Sequence, residues 1–106
     1  YRLATTADPH ASQFDKEKME KGWFDRHMPD LNQENPRLAT YLIQNTIWWI
    51  EYLGLDGIRV DTHPYPEKNF MSRWTKTIMD QYPDFNIVGE VWEEHVLLTS
   101  YYQTNA

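Results

Sequence analysis

The stretch "LGLDGIRVDTHPYPE", residues 53–67, decides the fold because it ends one helix and then contains a complete short strand. Gly54 follows a segment with helical periodicity, "DGIRV" has the pattern of a buried strand, and "HPYP" is incompatible with a helix. One arginine and two aspartates nevertheless stand in and beside this strand. Because charged side chains are seldom buried without a partner, these three residues require a structural or functional reason.

A helix is predicted on the amino-terminal side of this stretch. Asn35 is a typical N-cap residue, Pro36 suits the first helical position, and Gly54 ends the helix. Its predicted stripe, at a spacing of three to four residues, comprises Leu38, Leu42, Asn45, Trp49 and Tyr52 with Leu53. We expect the tryptophans of the helical segments, Trp48, Trp49 and Trp74, to lie in the core.

The order of the remaining elements predicts an α/β fold with parallel strands. A second helix begins at Pro66 or Glu67 and ends at Gln81, a second strand lies in "FNIVGEVW", and a third helix lies within 93–105. The apolar stripe of the second helix comprises Phe70, Met71, Trp74, Ile78 and Met79. Strands that alternate with helices are joined by right-handed crossovers. Two parallel strands cannot form a covered sheet alone, so the chain resembles an arc of a larger protein.

The residues before these elements predict less regular structure. Residues 1–13 are expected to be irregular, 14–22 to form one or two polar helical turns, and 23–36 to form a long connection. Long ordered connections often carry functional residues. The first residues, "YRLATTADPHASQ", lack the basic and apolar regions of a signal peptide, and we expect further residues to precede them.

Composition and charge exclude several classes of function. A formal net charge of −6 over 106 residues disfavours nucleic acid and anionic membranes as partners, because both would repel the chain. Five tryptophans and seven tyrosines instead supply rings that can stack on a neutral ligand. The absence of cysteine excludes disulfides, thiolate catalysis and zinc–thiolate sites. The sequence leaves the compartment open between cytoplasm, periplasm and the extracellular space.

Each predicted strand brings a carboxylate to the same edge of the sheet. Alternate side chains face opposite sides of a strand, so Arg59 and Asp61 share one face while Ile58 and Val60 share the other. Glu90 lies at the carboxyl end of the second strand. Neighbouring strands are about 4.8 Å apart. This spacing is close to the ~5–5.5 Å between the two carboxyl groups of a retaining glycosidase, and shorter than the ~6.5–9.5 Å of an inverting one.

The charges predict different roles for the two carboxylates. Two such groups cannot both ionise freely, and Arg59 is roughly 6.6 Å along the strand from Asp61. We therefore expect Asp61 to stay charged as a nucleophile, and Glu90, with no arginine near it in the sequence, to hold a proton as a general acid. Asp56, at the other end of the strand, is assigned to structure. The alternative is a structural ion pair of Arg59 with Asp61, with Glu90 capping a loop.

Three motifs resemble characteristic regions of the α-amylase family, in the order and spacing found there. They are "MPDLN" at 28–32, "DGIRVD" at 56–61 and "GEVW" at 89–92. The first, within "KGWFDRHMPDLNQENP", is similar to its form in neopullulanases, cyclomaltodextrinases and related maltooligosaccharide hydrolases. The resemblance covers about residues 8–102. It implies an enzyme, a glycoside hydrolase that cleaves α-glucans such as starch, pullulan, maltooligosaccharides or cyclodextrins.

The resemblance also implies a (β/α)8 TIM barrel, of which this chain would hold about strands 4 and 5 with helices 3 to 5. Residues 1–34 would end the insertion after the third strand, and 35–106 would belong to the barrel. Asp61 would be the nucleophile, Glu90 the general acid/base and Arg59 a substrate-binding residue beside them. The family's third catalytic aspartate has no counterpart here. We therefore expect the isolated segment to be inactive and to associate with itself.

Other residues near the motifs are weaker candidates. His63 and Trp92 could bind substrate, although a solvated loop histidine and a structural tryptophan are the alternatives. Asp30 and Asn32 are expected to shape a loop over the barrel, and the role of Tyr65 is left open.

No cofactor or metal is predicted within the chain, because the histidines of "DPH" and "DTH" lack a paired ligand spacing. The resemblance leaves calcium possible in the full-length protein. The partner implied is an α-glucan oligo- or polysaccharide. Two alternatives retain the same residues: a non-catalytic glucan-binding or regulatory relative, and a transglycosidase of the same family.

Overall fold

The structure, a computed structural model, describes residues 10–105. Its elements are α1 (Gln13–Lys21), α2 (Pro36–Leu53), β1 (Gly57–Val60), α3 (Lys68–Gln81), β2 (Asn86–Gly89) and α4 (Val96–Asn105). The alternation of helices and strands predicted after residue 35 is confirmed. The prediction of irregular structure at 1–9 lies outside the described residues.

The ends of α2 follow the predicted capping residues. The Asn35 side chain accepts hydrogen bonds from the backbone N–H groups of Arg37, at 3.0 Å, and Leu38, at 3.4 Å. Pro36 occupies the first turn, where its missing N–H would have no helical partner. Gly54 adopts the left-handed conformation, with φ 61°, that ends the helix without a Cβ clash. Local sequence alone is therefore sufficient to set both ends of α2.

The buried face of α2 differs from the predicted one. The residues buried or packed against the core are Ala39, Leu42, Ile43, Ile47 and Ile50. Trp48 and Trp49 are 52% and 43% exposed, so the prediction that they lie in the core is wrong. Trp48 instead stacks on Tyr52 with ring centroids 4.8 Å apart. Since α2 is apolar on two adjacent faces, its pattern could not show which one packs on the sheet and α3.

Helix α3 packs with its predicted stripe inward. Glu67 caps it by accepting from the backbone N–H groups of Asn69 and Phe70, at 2.9 and 2.7 Å. Ile78 is fully buried. Trp74 is buried as predicted, and its indole N–H donates to Thr46 Oγ1 on α2 at 3.0 Å. The stripe and this hydrogen bond hold α3 against α2.

The two strands are parallel neighbours, as predicted. Gly57 lies opposite Asn86 and Val60 opposite Gly89. Ile58, Val60 and Ile87 pack against the helical core, while the Arg59 side chain lies on the other face. Strand β2 is shorter than predicted and ends at Gly89. The carboxylates at 61 and 90 therefore come directly after their strands.

The amino-terminal part contains a longer helix than the predicted one or two turns. Ser12 caps α1 by accepting from the Asp15 backbone N–H at 3.2 Å. Met19 on α1 is buried with Tyr65, and Phe24 packs against this second cluster. The connection that follows α1 contains, besides turns and bends, a bridge between residues 25 and 28, in agreement with the predicted loop. The cluster of Met19, Phe24 and Tyr65 holds α1 and this connection beside the turn that follows β1.

Candidate active site

The backbone pairing of β1 and β2 continues past the ends of both strands. The N–H of Glu90 donates to the carbonyl oxygen of Val60 at 2.8 Å, and the N–H of His63 donates to the carbonyl oxygen of Glu90 at 3.0 Å. Parallel strands place their carboxyl ends at one edge of the sheet. The pairing therefore brings Asp61 and Glu90 together, as the sequence predicted.

Arg59 contacts both carboxylates through one nitrogen atom. Its Nη2 lies 3.0 Å from Glu90 Oε1 and 3.5 Å from Asp61 Oδ1. No arginine lies near Glu90 in the sequence, but the strand register puts Arg59 beside it. Since both oxygens are bound to the same atom, they are no further apart than the sum of these distances, 6.5 Å.

The surroundings of Asp61 favour its charged form. A hydrogen bond with the Glu90 carboxyl, and then the positive charge of Arg59, hold the pKa of Asp61 below its usual range. The backbone N–H of Thr62 acts in the same direction. The Asp61 side chain is 72% exposed on the open face of the sheet. It is thus an ionised and accessible carboxylate.

The turn after β1 fixes the second carboxylate. Thr62 has a positive φ of 49°, a conformation that is uncommon for a β-branched residue. Its backbone N–H donates to Glu90 Oε2 at 3.1 Å. One oxygen of Glu90 is thereby bound by Arg59 and the other by the turn. This contact could not be predicted from the sequence, because a backbone donor has no residue-type signature.

His63 and Trp92 lie in different surroundings. His63 is only 7% exposed and lies against Gly89, and the cavity that it lines includes neither Asp61 nor Glu90. Trp92 is 79% exposed. The structure therefore does not place His63 among the groups that face the two carboxylates.

Aromatic side chains separate two small cavities near the carboxylates. Phe24 and Tyr65 meet edge to face with centroids 5.1 Å apart. On one side, a cavity of about 170 Å³ is lined by both rings together with Asp61 and Asp30. On the other side, a cavity of about 310 Å³ is lined by both rings and Trp92. Tyr65, whose role the sequence left open, is thus a buried wall between these cavities.

The loop that contains "MPDLN" is shaped by its own polar side chains, as expected. Asp30 Oδ1 accepts from the Gln33 amide at 3.2 Å, and Asn32 Oδ1 accepts from the backbone N–H of Glu34 at 3.2 Å. Gln33 is buried, and its Oε1 accepts from the backbone N–H of Glu67 at 3.4 Å. These contacts attach the loop to the beginning of α3.

Within residues 10–105 there is no group of three or more His, Asp or Glu side chains that could hold a metal ion. The aspartate of "DPH" lies outside the described residues. Among the described helices, none is both long enough and apolar enough to cross a membrane.

Comparison with known proteins agrees with the family that these motifs indicate. The family profile described as "Alpha amylase, catalytic domain" matches residues 13–106. The chain belongs to the alpha-amylase family. A cyclomaltodextrinase from a Bacillus species is 35% identical over 71 residues, which are 67% of this chain and 13% of that protein. Neopullulanase 2 from Thermoactinomyces vulgaris is 34% identical over 67 residues, 63% of this chain and 11% of that protein.

Solved structures of this family have the same fold over most of the chain. The crystal structure of the alpha-amylase from Geobacillus thermoleovorans, complexed with acarbose, matches with a TM-score of 0.78 and 35% identity. The match covers 90% of this chain and 21% of that protein. The chain therefore has the fold of a part of the alpha-amylase catalytic domain, and it spans about an eighth of the length of the curated relatives named above.

Proposed function

We propose that this chain is a segment of a retaining α-glucan hydrolase, with β1 and β2 as the fourth and fifth strands of its barrel. Its substrates would be starch, pullulan, maltooligosaccharides or cyclodextrins. The observation that carries the proposal is the pair Asp61 and Glu90, held at neighbouring parallel strand ends by one guanidinium. In this assignment, residues 1–34 end an insertion after the third strand, and 35–106 belong to the barrel.

The proposed reaction is a double displacement. Asp61, which is ionised and exposed, attacks the anomeric carbon while Glu90 gives its proton to the glycosidic oxygen, and the bond to the leaving sugar breaks. Glu90 then removes a proton from water, which attacks the anomeric carbon and releases Asp61. The upper limit of 6.5 Å between their oxygens supports attack by Asp61 itself, because an inverting enzyme needs space for a water.

The other candidate residues receive different assignments. Arg59 binds both carboxylates. The hydrogen bond with Glu90, and then the charge of Arg59, keep Asp61 ionised. Trp92 offers an exposed ring that suits stacking on a sugar. The burial of His63 does not support a direct contact with substrate. The two carboxylates supply nucleophile, acid and base, so we propose no cofactor for this step.

The test is made in the complete protein that we propose contains this segment. Asp61→Asn should lower release of reducing sugar from pullulan or maltooligosaccharides by about 10⁴-fold, because it removes the nucleophile. Asp56→Asn is the matched control, since this exposed aspartate lies at the opposite end of β1 and should leave turnover unchanged. Unchanged sugar release in Asp61→Asn would refute the assignment of Asp61, whereas no sugar release by the wild-type protein would favour a non-catalytic glucan-binding protein.

Two product measurements complete the test. NMR of the first product should show the α-anomer, because double displacement retains configuration. Maltooligosaccharide given as the only sugar should yield shorter chains. Lengthened chains would identify a transglycosidase in which a sugar hydroxyl replaces water.

A further inference from the structure

The imidazole of His63 lies against the backbone of Gly89, the residue before Glu90. A Cβ atom at position 89 would be 2.8 Å from His63 Cγ, 2.9 Å from its Nδ1 and 3.2 Å from its Cβ. Real Cβ contacts are essentially never as short as the first two distances, and the third is tighter than nine in ten of them. Position 89 therefore has no room for a side chain while the histidine ring stays in place.

The ring can move away from Gly89 only if it leaves its χ1 rotamer or the backbone shifts. Rotation about χ1 would move Cγ and Nδ1, but Cβ is fixed by the backbone and would stay 3.2 Å from a Cβ at position 89. The backbone N–H of His63 is itself bound to the carbonyl oxygen of Glu90 at 3.0 Å. The ring, the glycine and this hydrogen bond thus form one packed unit beneath the two strand ends.

The turn that contains His63 also binds the side chain of Glu90. Thr62 precedes His63, and its N–H donates to Glu90 Oε2 at 3.1 Å. Two successive backbone N–H groups of the turn therefore bind one residue, one at its side chain and the other at its carbonyl. Because Thr62 is in a left-handed conformation, it needs support from neighbouring residues to remain there.

We propose that His63 is a positioning residue for Glu90. By packing beneath Gly89, the imidazole holds the turn of residues 61–64 in the conformation that aims the Thr62 N–H at the Glu90 carboxyl. The inference rests on the proposed function, in which Glu90 is the general acid/base. His63 acts through the backbone and does not touch substrate. Burial lowers the pKa of His63, which agrees with a neutral ring packed against a glycine.

The test uses the dependence of the rate on the leaving group. Hydrolysis of a maltooligosaccharide needs the proton of Glu90, whereas an α-maltosyl fluoride has a leaving group that depends far less on protonation. In the complete protein, His63→Ala should lower kcat/KM for the maltooligosaccharide, which reports the first displacement, by roughly 10- to 100-fold, the effect of a displacement of about 1 Å. The kcat/KM of the fluoride should fall by less than about threefold, because its first displacement depends little on the acid, whereas the second displacement uses Glu90 as the base for both substrates.

Three further variants test the packing itself. Gly89→Ala should cause the same selective loss, because its Cβ displaces the ring. Adding Gly89→Ala to His63→Ala should lower the rate by less than about threefold further, since the ring is then absent. His63→Phe should restore the maltooligosaccharide rate to within about threefold of the wild type, because it fills the same space with a neutral ring.

Gly57→Ala is the matched control for Gly89→Ala, and His27→Ala is the matched control for His63→Ala. Gly57→Ala places a Cβ 2.9 Å from the carbonyl oxygen of Asn86, at the end of the strands away from Glu90. It should change the rates on both substrates by equal factors. His27→Ala removes an exposed histidine and should change neither rate.

The outcomes separate this inference from the proposed function. Equal losses on both substrates in His63→Ala, a tolerated Gly89→Ala, or purely additive effects of the two would overturn the positioning role. His63→Phe keeps the test valid if His63→Ala fails to fold, and a selective loss in His63→Phe would also overturn it. Asp61→Asn should abolish both reactions whatever the role of His63, and its full activity would refute the proposed function instead.

Discussion

The backbone conformation of Thr62 is expected to destabilise the folded state. Its φ of 49° lies in the left-handed region, which costs a residue with a Cβ about 1–2 kcal/mol. Glycine adopts this region freely but loses about 0.5–1 kcal/mol more conformational entropy on folding. The difference predicts that Thr62→Gly is more stable than Thr62→Ala by about 0.5–1 kcal/mol.

The comparison of Thr62→Gly with Thr62→Ala isolates the free-energy cost of the left-handed backbone conformation. Both variants remove the hydroxyl and methyl groups of Thr62, and both keep the N–H that binds Glu90 Oε2 at 3.1 Å. Turnover should therefore be similar in the two variants. Thr62→Pro has no N–H and cannot adopt a positive φ, so it should lose both stability and acid catalysis.

Equilibrium urea unfolding of the complete protein, with Thr62→Ala as the reference, measures the difference in free energy. Initial rates on a maltooligosaccharide, taken with the same preparations, show whether the turn still holds the acid. A Thr62→Ala variant as stable as Thr62→Gly would show that the left-handed turn is not strained. Normal acid catalysis in Thr62→Pro would show that its N–H does not position Glu90.

Three further predictions concern charge, pH and the isolated chain. The hydrogen bond with Glu90, and then the charge of Arg59, hold the pKa of Asp61 down. Arg59→Met should therefore raise this pKa and move the acid limb of the pH profile of kcat/KM to higher pH. An acid limb at the same pH in both proteins would contradict this prediction. Burial lowers the pKa of His63 from 6.5, so the folded state takes up fewer protons there than the unfolded state. Its contribution to stability should be complete above pH 6.5 and fall below it, whereas His63→Gln should flatten the dependence of the melting temperature on pH in that range. The isolated 106-residue chain should show no turnover and no cooperative, concentration-independent thermal transition, because both edges of its described two-stranded sheet are open.

Much of the local structure could be predicted from short-range physical rules. The ends of α2 follow from Asn35 and Gly54, because a side-chain cap and a left-handed glycine act within a few residues of the backbone groups they satisfy. The two strands and the facing direction of Arg59 follow from alternation along an extended chain. The proximity of residues 61 and 90 follows from parallel pairing.

Contacts between distant residues depended on the register and on packing. The bridge from Arg59 to Glu90 joins residues 31 positions apart, and it exists because Val60 pairs with Gly89. Which face of α2 is buried was decided by the sheet and α3, since two adjacent apolar faces fit the same helical period.

The sequence by itself determined the elements, their order and the two carboxylates, because these depend on spacing and residue type along the chain. Only the tertiary structure decided that the His63 ring packs against Gly89 and that the Thr62 N–H reaches Glu90. The physical reason is that a left-handed turn and a backbone donor leave no pattern in residue type, whereas a capping residue or an alternating strand does.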